Sequence, residues 1–243
     1  DTANAGNDFA VCIDTGIVQF SGIPTGSTGF WTGSSIDSTG QFDVTLAGSG
    51  IYTFTYSYGE GNCLTTDDVD LTVHDLPVVD AGVDQRVCFE DTANILALVS
   101  GGITPYSHQW TSNTNIGTLS NDTILDPTLI VIGDNVLVLT TTDDFGCVNT
   151  DTISIDSIPL PIVEAGNDTT LCDLPIPVTF SGTPSGGQWT GSGVTSGGVF
   201  TSMGTGLYVI KYEYTDPLTG CYNEDSLTLD VISPDTANAG NDF

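Results

Sequence analysis

Large side chains alternate with small polar ones along Tyr52-Thr53-Phe54-Thr55-Tyr56-Ser57-Tyr58, the two-residue period of a strand that buries one face. Tyr208, Ile210, Tyr212 and Tyr214 repeat the pattern. Three further runs, Val69, Leu71 and Val73, then Ile153 and Ile155, then Leu227, Leu229 and Val231, read as inward faces of late strands. No stretch carries a helical period with capping residues. Gly- and Ser-rich breaks such as Ser196-Gly197-Gly198 separate the short runs, so the spacing predicts antiparallel sandwiches of about seven strands each.

The alternation recurs because the sequence does. Residues 1–9, Asp-Thr-Ala-Asn-Ala-Gly-Asn-Asp-Phe, return unchanged as 235–243, which defines a tandem unit of 234 residues. A shorter repeat lies within it. Ala5-Gly6-Asn7-Asp8-Phe9-Ala10-Val11-Cys12 is echoed by the segments ending at Cys88 and Cys172. Phe20-Ser21-Gly22-Ile23-Pro24 matches Phe180-Ser181-Gly182-Thr183-Pro184, and Trp31 matches Trp189, while the middle segment diverges but keeps Trp110 and Cys147. The expected division is 1–75, 76–158 and 159–234 for modules one to three, with 235–243 opening the next copy. Proline-bearing joints, Leu76-Pro77-Val78-Val79, Pro159-Leu160-Pro161-Ile162 and Ile232-Ser233-Pro234, read as semi-rigid connectors. The fold expectation is all-β: three tandem immunoglobulin-like (PKD-like) antiparallel β-sandwiches in an elongated array, whose length scales with copy number.

Charge narrows the partners. Two basic residues, Arg86 and Lys211, stand against 31 acidic ones for a net charge of −29, which excludes nucleic acid and anionic lipid, since both need clustered Lys and Arg. Solubility, divalent-cation binding or life in high salt are what such a charge favours. No apolar run is long enough to span a bilayer, so direct membrane insertion is not expected and targeting signals are expected elsewhere in a longer chain.

Six cysteines fall as one pair per module. The simplest pairing joins Cys12 with Cys63, Cys88 with Cys147, and Cys172 with Cys221, each closing a loop of roughly 50 to 60 residues and stabilising by roughly 3 to 4 kcal/mol. Buried free thiols are the alternative. Regular pairs in a Lys-poor, Thr- and Gly-rich chain suit an oxidising, extracytoplasmic compartment.

The pattern Ala-Gly-x-Asp-x-x-Val-Cys, a central Trp, then Asp143-Asp144-Phe145-Gly146-Cys147 ahead of Thr150-Asp151-Thr152-Ile153 resembles the PKD-like and immunoglobulin-like repeats of giant surface adhesins in Bacteroidota. The resemblance covers all three modules and implies type IX export, attachment at the cell surface, and a spacer role in gliding, adhesion or prey capture. It also directs attention to Asp-Ser/Thr followed by an aliphatic residue, which resembles the O-glycosylation acceptor of exported proteins in that group and makes Thr2, Thr92, Thr123, Thr152, Ser157 and Ser226 candidates.

Acidic residues gather near the joints: Asp14, Asp75, Asp80, Asp84, Asp143 and Asp144 at the first, and Glu90, Asp91, Asp156, Glu164, Asp168 and Asp216 at the second. Calcium takes six to eight oxygens and would stiffen such a hinge. The competing reading is that Asp simply builds turns and solvates the surface, and no dense D-x-D-x-D-G loop is present. The three Trp residues occupy equivalent places, which favours core anchors over carbohydrate-stacking platforms.

Enzyme motifs are absent: no G-x-S-x-G elbow, no H-E-x-x-H, no phosphate loop, and His74 and His108 sit in nonequivalent places. Lys211, on an outward strand position, reads as a solvated residue before an isopeptide donor. The sequence therefore describes a non-enzymatic structural repeat of a long extracellular filament or adhesin projecting a distal tip. Its partners are neighbouring repeats of the same chain and parallel copies bundled in a fibre. A carbohydrate- or protein-binding module of a secreted protein is the rival reading, and an accessory region of a polysaccharide-degrading enzyme a third.

Overall fold

The computed structural model describes residues 2–26, 28–112 and 117–234; the repeated segment 235–243 lies outside the described residues. Module one carries β1 (Phe9–Cys12), β2 (Ile17–Gln19), β3 (Phe30–Thr32), β4 (Gln41–Asp43), β5 (Gly50–Tyr58) and β6 (Thr65–His74). They form sheets of order β1-β6-β5-β3 and β2-β4. One helical turn, Val44–Ala47, follows β4, with the Asp43 carboxylate accepting from the Thr45 amide as its cap.

Module two carries β7 (Pro77–Asp80), β8 (Gln85–Cys88), β9 (Thr92–Asn94), β10 (Leu98–Gly101), β11 (Ser107–Ser112), β12 (Thr118–Leu119), β13 (Thr128–Ile130), β14 (Asn135–Thr142) and β15 (Val148–Ile158). Its sheets run β11-β14-β15-β8, β12-β13-β9 and β10-β7. Module three carries β16 (Thr169–Cys172), β17 (Val178–Thr179), β18 (Gln188–Gly191), β19 (Val199–Phe200), β20 (Gly206–Thr215) and β21 (Tyr222–Ile232), in sheets β16-β21-β20-β18 and β17-β19.

Two sequence expectations change here. The long hairpins β5–β6, β14–β15 and β20–β21 are antiparallel, but β1 lies parallel to β6 and β16 parallel to β21. A first strand and a last strand that both lead from a module's entry to its exit run the same way, so as neighbours they pair parallel. The named strands also differ from about seven per module. Module two pairs β7 with β10 over four residues, where among the described residues modules one and three show only the bridges Asn4↔Ile23 and Glu164↔Thr183. Pro24 and Pro184 follow those bridged residues directly, and proline has no N–H to extend a ladder.

The inward faces read from the sequence are the core. Val69, Leu71, Val73, Ile153, Ile155, Leu227, Leu229 and Val231 are all buried, as are Trp31, Trp110 and Trp189. In module one Phe20, Phe42 and Phe54 surround Trp31, whose ring centroid lies 5.4 Å from Phe20 and 5.0 Å from Tyr56. Module three repeats the arrangement, with Trp189 at 5.1 Å from Tyr212. Trp110 instead packs in an aliphatic core with Leu129, Leu137, Leu139, Ile153 and Ile155, and its indole N–H donates to the Ile124 carbonyl at 3.0 Å. By its contacts the chain divides into two compact units. One holds the residues up to Gln85 with Thr92–Asp156, and the other holds Arg86–Asp91 with the chain from Ser157 onward.

Pro77 is not in a bare connector. It opens β7, is buried, and its carbonyl accepts from the Asn149 side chain at 2.9 Å. In the second unit the Asn223 side chain donates to Pro161 in the same way, at 2.9 Å.

Candidate functional site

Strand register fixes where each cysteine stands. Cys12 ends β1 opposite His74, the last residue of β6, and Cys172 ends β16 opposite Ile232, the last residue of β21. Cys63 and Cys221 stand just before those last strands begin, at Thr65 and Tyr222. The two cysteines of a module are thus at opposite ends of one long strand, separated in module one by ten residues of β6, roughly 30 Å at about 3.3 Å per residue. A disulfide needs Cα atoms within about 7 Å.

The within-module pairing is therefore corrected. Cys12 is bonded to Cys147 with Cα atoms 5.6 Å apart, and Cys88 to Cys221 at 5.7 Å. Cys63 and Cys172 are unpaired and exposed. Each bond joins the end of the strand that neighbours a module's last strand, β1 or β8, to the turn before the last strand of the succeeding module, across 135 and 133 residues. On the chain-entropy account loops of that length stabilise by roughly 5 kcal/mol each.

The turn that presents Cys147 is built on a buried carboxylate. Asp143 Oδ1 accepts from the amides of Phe145, Gly146 and Cys147 at 3.1, 2.9 and 2.8 Å, and Oδ2 accepts from Ile103 at 2.9 Å. Burial opposes its charge, but the amides of Ile103, Cys147, Gly146 and Phe145 outweigh it and hold the carboxyl below its ordinary value. Beside the bond, Phe145 packs on His74, with centroids 4.4 Å apart. Cys147 and Cys221 are buried.

The other acidic candidates do not converge. Among the described residues no group of three or more His, Cys, Asp or Glu is placed to hold a metal ion. Asp80 accepts from Gly82, Asp84 from Ser154, Asp168 from Thr228, and Asp216 from Leu218, all through backbone amides. Asp14, Asp75, Glu90, Asp91, Asp144, Asp156 and Glu164 are exposed. Carboxylates already engaged by N–H donors are oriented for turns and strand edges.

Sequence reasoning missed one repeated role. Asp67, Asp151 and Asp225 each accept from the amide of the Ala that opens the Ala-Gly-x-Asp segment, namely Ala5, Ala81 and Ala165, all at 2.8 Å. Asp8, Asp84 and Asp168 reciprocate onto Asp70, Ser154 and Thr228 of the last strand. Both bonds in a module span the same sequence distance, 62, 70 and 60 residues in modules one to three. That shared spacing was the available signal.

It also gives Asp151-Thr152-Ile153 and Asp225-Ser226-Leu227 a structural reason: an anchor, an outward residue and a core residue in succession. Of the glycosylation candidates Thr2, Thr92, Thr123, Thr152 and Ser226 are exposed and Ser157 is half-buried. Lys211 pairs with Glu224 at 2.6 Å on the surface, and that hydrogen bond raises the lysine pKa. Tyr222, donating to the same carboxylate, is pushed up to about 12. Such exposed pairs contribute little to stability.

No protein-family model matches this chain, and no curated protein is similar to it. Its likeness is to tandem immunoglobulin structures. The N-terminal eight Ig domains of Down Syndrome Cell Adhesion Molecule share 14% identity at a TM-score of 0.43, over 96% of this chain and 36% of that one. Immunoglobulin domains 1-5 of Sidekick-1 share 14% at 0.35, over 95% and 58%. A three-domain titin structure shares 12% at 0.38, over 94% and 97%. The chain spans less than two thirds of the length of the first two.

Proposed function

We propose that this chain is a non-enzymatic structural repeat of a long extracellular filament or adhesin, which holds a distal binding tip away from the cell surface. The carrying observation is the disulfide pattern: Cys12–Cys147 and Cys88–Cys221 run from one module to the next. A bond inside a sandwich protects that sandwich, whereas a bond between successive sandwiches braces the joint. A joint needs bracing when the array must bear tension or keep its direction. The return of residues 1–9 at 235–243 supports tandem copying, with modules at 1–75, 76–158 and 159–234. Disulfides support an oxidising, extracytoplasmic location, and the net charge of −29 supports solubility without self-association. Resemblance to Bacteroidota adhesin repeats supports type IX export and surface attachment.

Immunogold electron microscopy of intact cells with an antibody against this unit tests the reading. Gold spaced at intervals along surface fibres is expected; gold confined to the cytoplasm or to soluble secreted material would overturn it.

A further inference from the structure

We propose that Cys172 forms a disulfide with Cys63 of a following copy of this chain, so that the stitching of module to module continues without a break from one repeat to the next. The inference rests on the tandem reading of the repeat and not on where the filament is displayed.

Polarity carries it first. The two observed bonds each join an exit-end cysteine, one closing the strand beside a module's last strand, to an entry-end cysteine, one in the turn before a last strand. The two cysteines left over are one of each kind: Cys172 closes β16 opposite Ile232, and Cys63 lies in the Gly61–Cys63 turn before β6. With the 234-residue period, the module that succeeds module three is module one of the next copy, and its entry-end cysteine is Cys63. The bond would span 125 residues when that period is applied, against 135 and 133 for the two present. Two unrelated surface thiols would have no reason to complete the series.

The surroundings of Cys172 carry it independently. Cys172 lines a cavity of about 240 Å³ together with Leu171, Leu174, Ile176, Val178, Phe200 and Ser202. Ile176 is 65% exposed and Leu174 43%. On the other side of the proposed bond, Leu64 follows Cys63 and is 45% exposed. In the Cys12–Cys147 joint the equivalent turn brings Phe145 onto His74, so an apolar residue beside the cysteine is already used there as the packing element. The occupant assigned to the cavity is the Gly61–Leu64 turn of the following copy, with Leu64 as its apolar contact. Because the interface is head-to-tail, it propagates and does not close.

The chemistry is thiol–disulfide exchange. The Cys172 thiolate attacks an organic disulfide such as oxidised glutathione, releasing one glutathione thiol. The Cys63 thiolate then displaces the second glutathione from Cys172. Two protein thiols are oxidised, and their two electrons and two protons leave on the two glutathione thiols.

The test uses a chain of two consecutive copies, refolded in a glutathione redox buffer, with thiols counted under denaturing conditions and pairs located by non-reducing peptide mapping. Two free thiols are expected where unlinked copies would show four, with a peptide joining Cys172 of the first copy to Cys63 of the second. Four free thiols, or pairing of Cys63 with Cys63 or Cys172 with Cys172, would overturn the proposal. Cys63→Ser in the second copy alone keeps the test sharp, since it leaves that module's sheets intact and must return Cys172 of the first copy to the thiol count. If the count is unchanged by that substitution, the proposal falls.

Discussion

Modules one and three hold the loop that carries the cis proline with a tyrosine, whereas module two holds it with an aspartate. Tyr56 donates its hydroxyl to the Pro24 carbonyl at 2.7 Å, and Tyr212 does the same to Pro184 at 2.6 Å. Their rings lie against Gly22 and Gly182 so closely that an added Cβ would sit 2.4 and 2.3 Å from them. In module two the residue opposite the core Trp is Leu139 in place of a tyrosine. The loop is held by Asp143, which accepts from Ile103, and a Cβ on Gly102 would meet that carboxylate at 2.8 Å. One topology thus tolerates two unlike solutions, provided every buried polar atom of the loop is satisfied. The aspartate solution ties the loop to the turn that bears Cys147, so in module two the core and the disulfide-bearing turn share one side chain.

The largest test of this contrast is Asp143→Ala. It removes the side-chain acceptor of four amides in a buried site, of which only Gly146 keeps another partner, the Asp143 carbonyl at 3.1 Å, and should cost about 3 kcal/mol, read as lost hydrogen-exchange protection confined to β11, β14 and β15. Asp216→Ala, at the corresponding place in module three, removes an acceptor from Leu218 alone and should cost under about 1 kcal/mol. Equal losses would show that the two turns are held alike. The pH dependence follows with a definite sign. Because the Asp143 pKa lies below its ordinary 3.8, its stabilisation is present above that value and disappears as pH falls through the lower folded value. Module two should lose protection at acid pH relative to its own Asp143→Asn variant.

Next in size are Gly22→Ala and Gly182→Ala. Each drives a methyl into a buried tyrosine ring and should cost about 2 kcal/mol, visible as a fall in melting temperature of the module concerned. Both phenylalanine variants keep the ring: Tyr56→Phe loses the bond to Pro24, for about 1 kcal/mol, and Tyr212→Phe loses the bond to Pro184 together with the one its hydroxyl accepts from the Gly187 amide at 2.8 Å, for about 2 kcal/mol. If the phenylalanine variants cost more than the alanine ones, the hydroxyl and not the ring is what holds the loop.

How much of this was legible in the sequence follows from what each feature depends on. The inward faces of β6, β15 and β21 and the buried Trp residues depend on a two-residue period, which the chain displays openly. The cysteine connectivity depends on whether β1 lies parallel or antiparallel to β6, and no spacing reports that. Six cysteines allow fifteen pairings, and one pair per module was the natural choice only so long as both ends of a module were imagined close together. The tyrosine-to-aspartate exchange was hidden for a different reason: Asp143 belonged to a set of acidic residues whose expected place at the first joint suggested a shared ion. In the fold its four donors are backbone amides.

That last point yields the smallest expected effect. If the acidic residues at the joints act through backbone amides, as Asp80, Asp84, Asp143, Asp168 and Asp216 do, chelation removes nothing that holds the fold. Melting curves recorded with excess chelator and with millimolar calcium should then superimpose in all three modules. A calcium-bound joint would behave otherwise, since saturation at about a hundred times Kd stabilises by roughly 2.7 kcal/mol. A shift of that size, abolished by Asp80→Asn together with Asp84→Asn, would mean that these carboxylates exchange their amide partners for a cation. Asp143, buried and already accepting four amides, should be the last to make that exchange, so a calcium effect would appear first in the exposed acidic residues and leave the Cys147 turn unchanged.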